Sequence, residues 1–265
     1  MTDLNDKVAI ITGGANGIGR ATAELFVSKG IKVVIVDIDE KIYGIAKEIG
    51  AYPLLFDVSK EQSWKEIMRA VKKDFCKLDI LINNAATNGV ENKFSIQNPE
   101  HMSLKTWRNI HITNLGSVFL GCKYGISLIK NNAGKGAIVN VASRSGIVGV
   151  PTLAAYASSK AAIRNYTKSV ALYCAEKNYN IRCNSVSPAA ILTKMWQHTL
   201  KNEQDYKNFS SVIPLKRMGK PKDVANAILY LSTDDSDFIT GTEIIIDGGI
   251  LAGSSASPTC KKINE

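Results

Sequence analysis

The stretch Lys7-Val-Ala-Ile-Ile-Thr-Gly-Gly-Ala-Asn-Gly-Ile-Gly-Arg20 decides the fold. Its first half is an apolar run of strand formers, and the run after Gly17 carries apolar residues at helical spacing. A strand that turns through glycines into a helix is the opening of a βαβ unit, and the chain keeps repeating that rhythm. Further strands are expected at 32–37, 52–57, 80–83, 137–141, 181–187 and 243–247, after a first at 7–12. Helices are expected at 18–29, 40–49, 60–75, 106–130, 153–177 and 221–231. Strands this continuously apolar are buried on both faces, which calls for a parallel sheet with helices on either side. Right-handed crossovers then give an α/β fold built on a doubly wound, seven-stranded parallel sheet of Rossmann type. The reading is a single domain over residues 1–252, with a mobile tail at 253–265 rich in Ser, Ala and Pro.

The turn itself has the form Thr12-Gly-x-x-x-Gly-x-Gly19. Gly13 permits the tight turn, Gly17 lets backbone approach a pyrophosphate, and Gly19 lets helix and strand pack closely. Asn16, Gly17, Ile18 and Gly19 lie where the helix begins, and its free N–H groups attract an anion. Asp37 closes the second strand. A carboxylate there accepts hydrogen bonds from both hydroxyls of an adenosine ribose and repels a 2′-phosphate. Asn16, Ile38 and Asp39 supply no compensating cation. The expected cofactor is NAD.

Chemistry is suggested further along. The pattern Tyr-x-x-x-Lys occurs three times, at Tyr43/Lys47, Tyr156/Lys160 and Tyr173/Lys177. Thirteen residues before these tyrosines stand Gly30, Ser143 and Lys160, so only the second pair has a hydroxyl there. Helical i,i+4 spacing puts Tyr156 and Lys160 on one face. A phenol of ordinary pKa ~10 is a poor base, and a nearby ammonium is expected to favour its phenolate. Tyr156 would then exchange a proton with a carbonyl or alcohol oxygen held by Ser143. The other two pairs read as surface pairs whose long side chains reach outward.

Composition narrows the class. The 265 residues are 45% hydrophobic, with no run of the ~20 uninterrupted apolar residues a membrane span needs. The N-terminus lacks a basic-then-apolar leader pattern, so a cytoplasmic location is expected. Five cysteines form no CxxC pair, and three histidines show no metal-ligand spacing, so no metal site is expected. The net charge of +9 is spread along the chain, without the basic stripe interleaved with aromatics that nucleic acid requires.

Taken in order, Thr12-Gly-x-x-x-Gly-x-Gly19, Asp57-Val58, Asn83-Asn-Ala-Ala86, Asn114, Ser143, Tyr156-x-x-x-Lys160, Pro188 and Thr193 resemble the short-chain dehydrogenase/reductase family over residues 7–249. The resemblance implies a fourth catalytic residue, Asn114, holding a water that links Lys160 to solvent. It also implies that Asp57 and Val58 bracket the adenine and that Asn84 lines the cofactor channel. Pro188, Ile191 and Thr193 would hold the nicotinamide end, and Lys160 its ribose. Two positions depart from the family pattern: Ala86 and Ala189 stand where glycine is usual. A homotetramer built on helices 106–130 and 153–177 is implied as well; Gly116, Gly121, Gly125, Ala161, Ala162 and Ala171 would permit close contact there, and packing in the core explains these small residues equally well.

The expected activity is NAD-dependent interconversion of a secondary alcohol and a ketone. Val148, Val150, Leu153, Ile191, Leu192, Met195 and Trp196 make an apolar pocket set, which favours a bulky hydrophobic substrate of hydroxysteroid or cyclic-alcohol type. The alternatives are a 3-oxoacyl-[acyl-carrier-protein] reductase and, more remotely, a non-catalytic nucleotide-sensing protein.

Overall fold

The computed structural model describes residues 4–89, 97–132, 134–194 and 200–253. The tail beyond residue 253 and the pocket candidates Met195 and Trp196 lie outside them. Seven strands, β1 (Val8–Thr12), β2 (Lys32–Asp37), β3 (Tyr52–Leu55), β4 (Ile80–Asn83), β5 (Gly136–Val141), β6 (Ile181–Pro188) and β7 (Glu243–Ile246), form one sheet in the order β3-β2-β1-β4-β5-β6-β7. Every pairing is parallel. The order reverses between β1 and β4, so the crevice at their carboxyl ends is where an open α/β sheet takes a ligand.

The pleat sorts each strand's side chains into two apolar layers. Val8, Ile10, Val34 and Val36 join Trp64, Ile67 and Val71 of α3 (Glu61–Phe75), together with residues of α5 (Ser117–Ile129) and α6 (Ala154–Glu176). Ala9, Ile11, Val33 and Ile35 face the other way. They meet Phe26 of α1 (Gly17–Ser28), Ile42 and Ala46 of α2 (Ile42–Ile49), and Val224, Ile228 and Leu231 of α8 (Pro221–Ser232). Such alternation explains why the strands read as unbroken apolar runs.

Two departures from the expected elements matter for the site. The helix expected at 106–130 is α4 (Leu104–His111) followed by a π-helical turn (Ile112–Gly116) and then α5. Ser103 caps α4 by accepting from Thr106 N. The whole run Leu104–Ile129 meets the length and hydropathy expected of a membrane span. Here it packs against α3 and α6, and Lys105, Arg108 and Lys123 interrupt it. Secondly, the segment after β6 contains a further helix, α7 (Glu203–Ser211), capped by Asn202.

Gly121 and Gly125 face the sheet, which is the core-packing reading of these small residues. A Cβ on Gly121 would lie 2.2 Å from Asn83 Oδ1, and one on Gly125 2.6 Å from Leu81 Cδ2. Both are glycine because α5 lies flat on β4. Ala171 is likewise in the core.

Candidate active site

The glycine turn is held from several sides. Gly13 N and Gly14 N donate to Val36 O at 2.8 and 3.3 Å, tying the turn to β2. Thr12 Oγ1 accepts from Asn84 N and Ala85 N at 2.9 and 3.0 Å, tying it to β4. Asn84 Nδ2 donates to the Thr12 and Gly13 carbonyls at 2.8 and 3.3 Å. Asn84, expected along the cofactor channel, thus braces the turn through its amide nitrogen. Gly13 and Gly17 adopt φ of +67° and +53°, the left-handed region that glycine enters without steric cost. A Cβ on Gly19 would lie 2.1 Å from Gly13 O, so helix and turn leave no room for one. Gly14 is a requirement the fingerprint missed: its Cβ would meet Ile35 Cβ at 2.6 Å. The doubled Gly13-Gly14 was the available signal.

Asn16 precedes α1 in extended conformation and makes no side-chain cap bond, leaving the helix start open. Ile18 follows in its first turn. Asp37 is fixed rather than loose. Its Oδ2 accepts from Ala15 N at 3.0 Å, and its Oδ1 accepts from Ile38 N and Asp39 N at 2.8 and 3.1 Å. The carboxylate thus bonds the glycine turn directly and keeps lone pairs for a further donor. Asp57 accepts from Ser59 N and Oγ at 3.0 and 2.6 Å. Partial burial works to raise its pKa, but these bonds and Lys60 outweigh it and hold the carboxyl below its usual value. Val58 is buried, and its carbonyl takes the Trp64 indole N–H.

This crevice fits a dinucleotide: positive-φ glycines, an open helix N-terminus and an anchored carboxylate line one edge of it. Its far wall is the chain after β6. Pro188 ends that strand, Ile191 is buried and bridges to Gly219, and Thr193 crosses to the glycine turn. A Cβ built on Gly17 would lie 3.1 Å from Thr193 Cγ2, so the two walls touch there. The extra methyl foreseen at Ala189 brings no strain to that residue. The strain sits one residue on, at Ala190, whose φ is +48°.

The proton-handling groups meet at the same end of the sheet. Ser143 follows β5, and its Oγ accepts from Ser145 N at 3.1 Å and donates to Pro188 O at 3.5 Å. Tyr156 lies in the first turn of α6, where the Ser143 hydroxyl favours its phenolate. Lys160 is buried; its Nζ donates to Val141 O at 2.7 Å and sits 5.8 Å from the Tyr156 ring centroid. The other two Tyr-x-x-x-Lys tyrosines, Tyr43 and Tyr173, are exposed, as expected.

Electrostatics correct one expectation. Burial raises the Tyr156 pKa, with the Ser143 hydroxyl pulling it partly back, and burial lowers Lys160 to about 7. Low dielectric disfavours charge on both groups, so the lysine does not by itself acidify the phenol. Charge brought in beside them must do so.

Asn114 occupies the π-helical turn and is fully buried. Its Oδ1 accepts from Thr87 N at 2.9 Å, and its Nδ2 donates to Thr87 O and Ser159 Oγ at 2.9 and 3.0 Å. The side chain thus joins the strand end after β4 to α6, and these three bonds engage both ends of its amide. Pocket candidate Leu192 is exposed, while Val148, Val150 and Leu153 are half-buried around the Ser143 turn.

Comparison with known proteins agrees with this arrangement. The sequence profile of a family described as enoyl-(acyl carrier protein) reductase matches residues 13–251. The chain is 38% identical over 261 residues to an NADP-dependent (R)-specific alcohol dehydrogenase of Lentilactobacillus kefiri, covering 95% of this chain and 100% of that one. It is 35% identical over 258 residues to a cyclopentanol dehydrogenase of Comamonas testosteroni, covering 95% and 100%. The ligand-free aldohexose dehydrogenase of Thermoplasma acidophilum superposes with a TM-score of 0.87 at 31% identity, covering 97% and 99%. With its fold, glycine turn and Ser143–Tyr156–Lys160 cluster, the chain belongs to the short-chain dehydrogenase/reductase family and is an alcohol oxidoreductase using a nicotinamide cofactor.

Proposed function

We propose that this enzyme oxidises a bulky, uncharged secondary alcohol with NAD and reduces the corresponding ketone. The observation that carries the reaction is the Ser143–Tyr156–Lys160 cluster beside the glycine turn. A bound nicotinamide ring supplies the hydride acceptor or donor and, when oxidised, a positive charge. Tyr156 exchanges the proton with the substrate oxygen, and the Ser143 hydroxyl turns from Pro188 to hold that oxygen. Lys160 anchors the cofactor ribose and adds its charge as it protonates. Asn114 contributes through its main-chain carbonyl, since its amide is engaged with Thr87 and Ser159.

Asp37 supports NAD over NADP. A 2′-phosphate would face a carboxylate locked in place by three backbone N–H groups, with Asp39 beside it. The L. kefiri relative bears an NADP-dependent name, so the choice rests on this residue. Apolar Val148, Leu153 and Ile191 and the cyclopentanol-dehydrogenase relative support an uncharged, cyclic substrate. The net charge of +9 and the profile's description favour a carrier-protein reductase as second reading. Rates with NADH and NADPH, measured on alcohols and ketones graded by ring size and charge and on an acetoacetyl thioester, test all of this. Higher efficiency with NADPH overturns the cofactor assignment, and a preference for the thioester overturns the substrate.

Assembly is proposed as a homotetramer. Phe119, Leu172 and Tyr173 are exposed on α5 and α6, beside a groove lined by Ile126, Tyr166 and Tyr179. A second copy would cover them; sedimentation as a monomer refutes it.

A further inference from the structure

Hydrogen bonds around Ser143 close into a circuit. Ser143 is extended (φ −169°) and leads into a 3₁₀ turn, Arg144–Gly146, whose Ser145 N–H its Oγ accepts. At the end of that turn, the Gly146 carbonyl accepts from Arg164 Nη1 at 2.7 Å. Arg164 lies on α6, and its Nε donates to Glu243 Oε1 at 2.7 Å. The same carboxylate oxygen accepts from the Ser187 hydroxyl on β6. Next to Ser187, Pro188 offers its carbonyl back to Ser143 Oγ at 3.5 Å.

We infer that Arg164, held by Glu243, is a positioning residue that sets the Ser143 hydroxyl against Tyr156. Arg164 bonds none of the proton-handling groups; it acts through the turn. Gly146 leaves that turn little slack, because a Cβ there would lie 2.7 Å from both Ala161 N and Lys160 C. The turn's backbone therefore rests on the α6 backbone at Lys160, and Arg164 pins its free carbonyl. A guanidinium suits the task because its fixed fork donates in two directions at once, whereas an ammonium is a single point charge. The pair is mostly shielded, with side-chain exposures of 29% for Arg164 and 15% for Glu243, so water competes poorly with these bonds. Glu243 begins β7, and Ser187 precedes Pro188, so one ion pair ties together both walls that meet at the substrate oxygen.

The inference rests on the reading of Ser143 as the residue that holds that oxygen, and the test separates the two. Arg164→Ala, Arg164→Lys, Ser143→Ala and Ser143→Ala/Arg164→Ala are compared with cyclopentanol as probe alcohol. Arg164→Ala is expected to lower kcat on the order of 10- to 100-fold, as for a misplaced catalytic group. NADH binding, followed by fluorescence, stays unchanged. In the Ser143→Ala background the same replacement is expected to cost less than about threefold, because the two residues act through one hydroxyl. Arg164→Lys recovers part of the loss by reaching one of its two partners. Wild-type kcat in folded Arg164→Ala overturns the inference, as does an equal loss in both backgrounds or a matching loss of NADH affinity. If Ser143→Ala alone keeps wild-type kcat, the reading of Ser143 falls and this inference with it. Should Arg164→Ala fail to fold, Glu243→Gln and Arg164→Lys carry the same comparison.

Discussion

Lys160 gives its short hydrogen bond to the Val141 carbonyl, at 2.7 Å, while the Tyr156 ring centroid lies 5.8 Å away. The amine is thus anchored on the sheet rather than on the phenol. Burial pushes its pKa from 10.5 to about 7, so carrying the charge works against folding. Between these values the unfolded chain binds the proton and the folded chain does not, so stability rises with pH across that window. Below about pH 7 both states are charged and the penalty is constant. Lys160→Met removes the penalty, and the loss of a partner for Val141 O offsets part of the gain. The variant is expected to melt above wild type at pH 6–7 and to lose that advantage towards pH 10, while turnover falls. An advantage that grew with pH would contradict the assignment.

Tyr156→Phe keeps the ring and removes the hydroxyl. Loss of a general acid–base group is expected to lower turnover by ~10²–10⁴-fold. Dinucleotide affinity should survive, because the glycine turn, Asp37 and Lys160 are untouched. In the wild type, burial raises the phenol's pKa, so the neutral-pH form is the proton donor. Ketone reduction is therefore expected to hold its rate as the pH rises to 10, while alcohol oxidation, which needs the phenolate, rises with pH; that rise vanishes in Tyr156→Phe. Steady-state rates in both directions between pH 6 and 10 check this; a variant with near-wild-type turnover removes Tyr156 from the mechanism.

The sheet was legible because parallel strands buried on both faces leave an unmistakable apolar record, and Val8–Thr12 and Lys32–Asp37 fall where that record places them. The Ser143–Tyr156–Lys160 cluster was legible because its spacing is local on one helix and one strand end. The sense of its pKa shifts was not: i,i+4 spacing predicts attraction, but burial depends on what covers the pair. Nor could spacing reveal that Asn114 sits in a π-helical turn, since residues 106–130 read as one amphipathic helix in either geometry. Helix α7 escaped because Asn202, Glu203 and Asp205 mark its start but only Tyr206 and Phe209 follow as apolar residues within it. Arg164 and Glu243 stand 79 residues apart and meet only because β7 lies beside β6.

Ala190 adopts φ +48°, a conformation that costs a residue with a Cβ about 1–2 kcal/mol. Its carbonyl accepts from Gly219 N at 3.0 Å, which holds the strained residue in place. Ala190→Gly relieves the strain and adds back roughly 0.5–1 kcal/mol of unfolded-chain entropy. A net gain of up to ~1 kcal/mol is expected in urea unfolding. A loss of stability would mean that the Ala190 side chain supplies packing worth more than the strain it carries.

Gly17 and Gly19 are separated by one residue, yet their replacement by alanine should have different signatures. At Gly19 the new Cβ would lie 2.1 Å from Gly13 O and 2.6 Å from Asn84 Nδ2, both inside the turn. The clash falls on fixed backbone, so Gly19→Ala is expected to destabilise the whole protein and lower its melting temperature. At Gly17 the neighbours within reach belong to Thr193, at 3.1 and 3.4 Å, on the opposite wall of the crevice. That loop can yield by a few tenths of an ångström, although φ +53° still costs about 1–2 kcal/mol. Gly17→Ala should therefore fold with modest loss of stability. NADH affinity should fall by ten-fold or more, the equivalent of ~1.4 kcal/mol, because the methyl occupies the backbone's approach to the pyrophosphate and shifts Thr193. Fluorescence titration beside thermal melts separates the two, and equal effects of both replacements on melting and on affinity would show that the crevice does not close at Gly17.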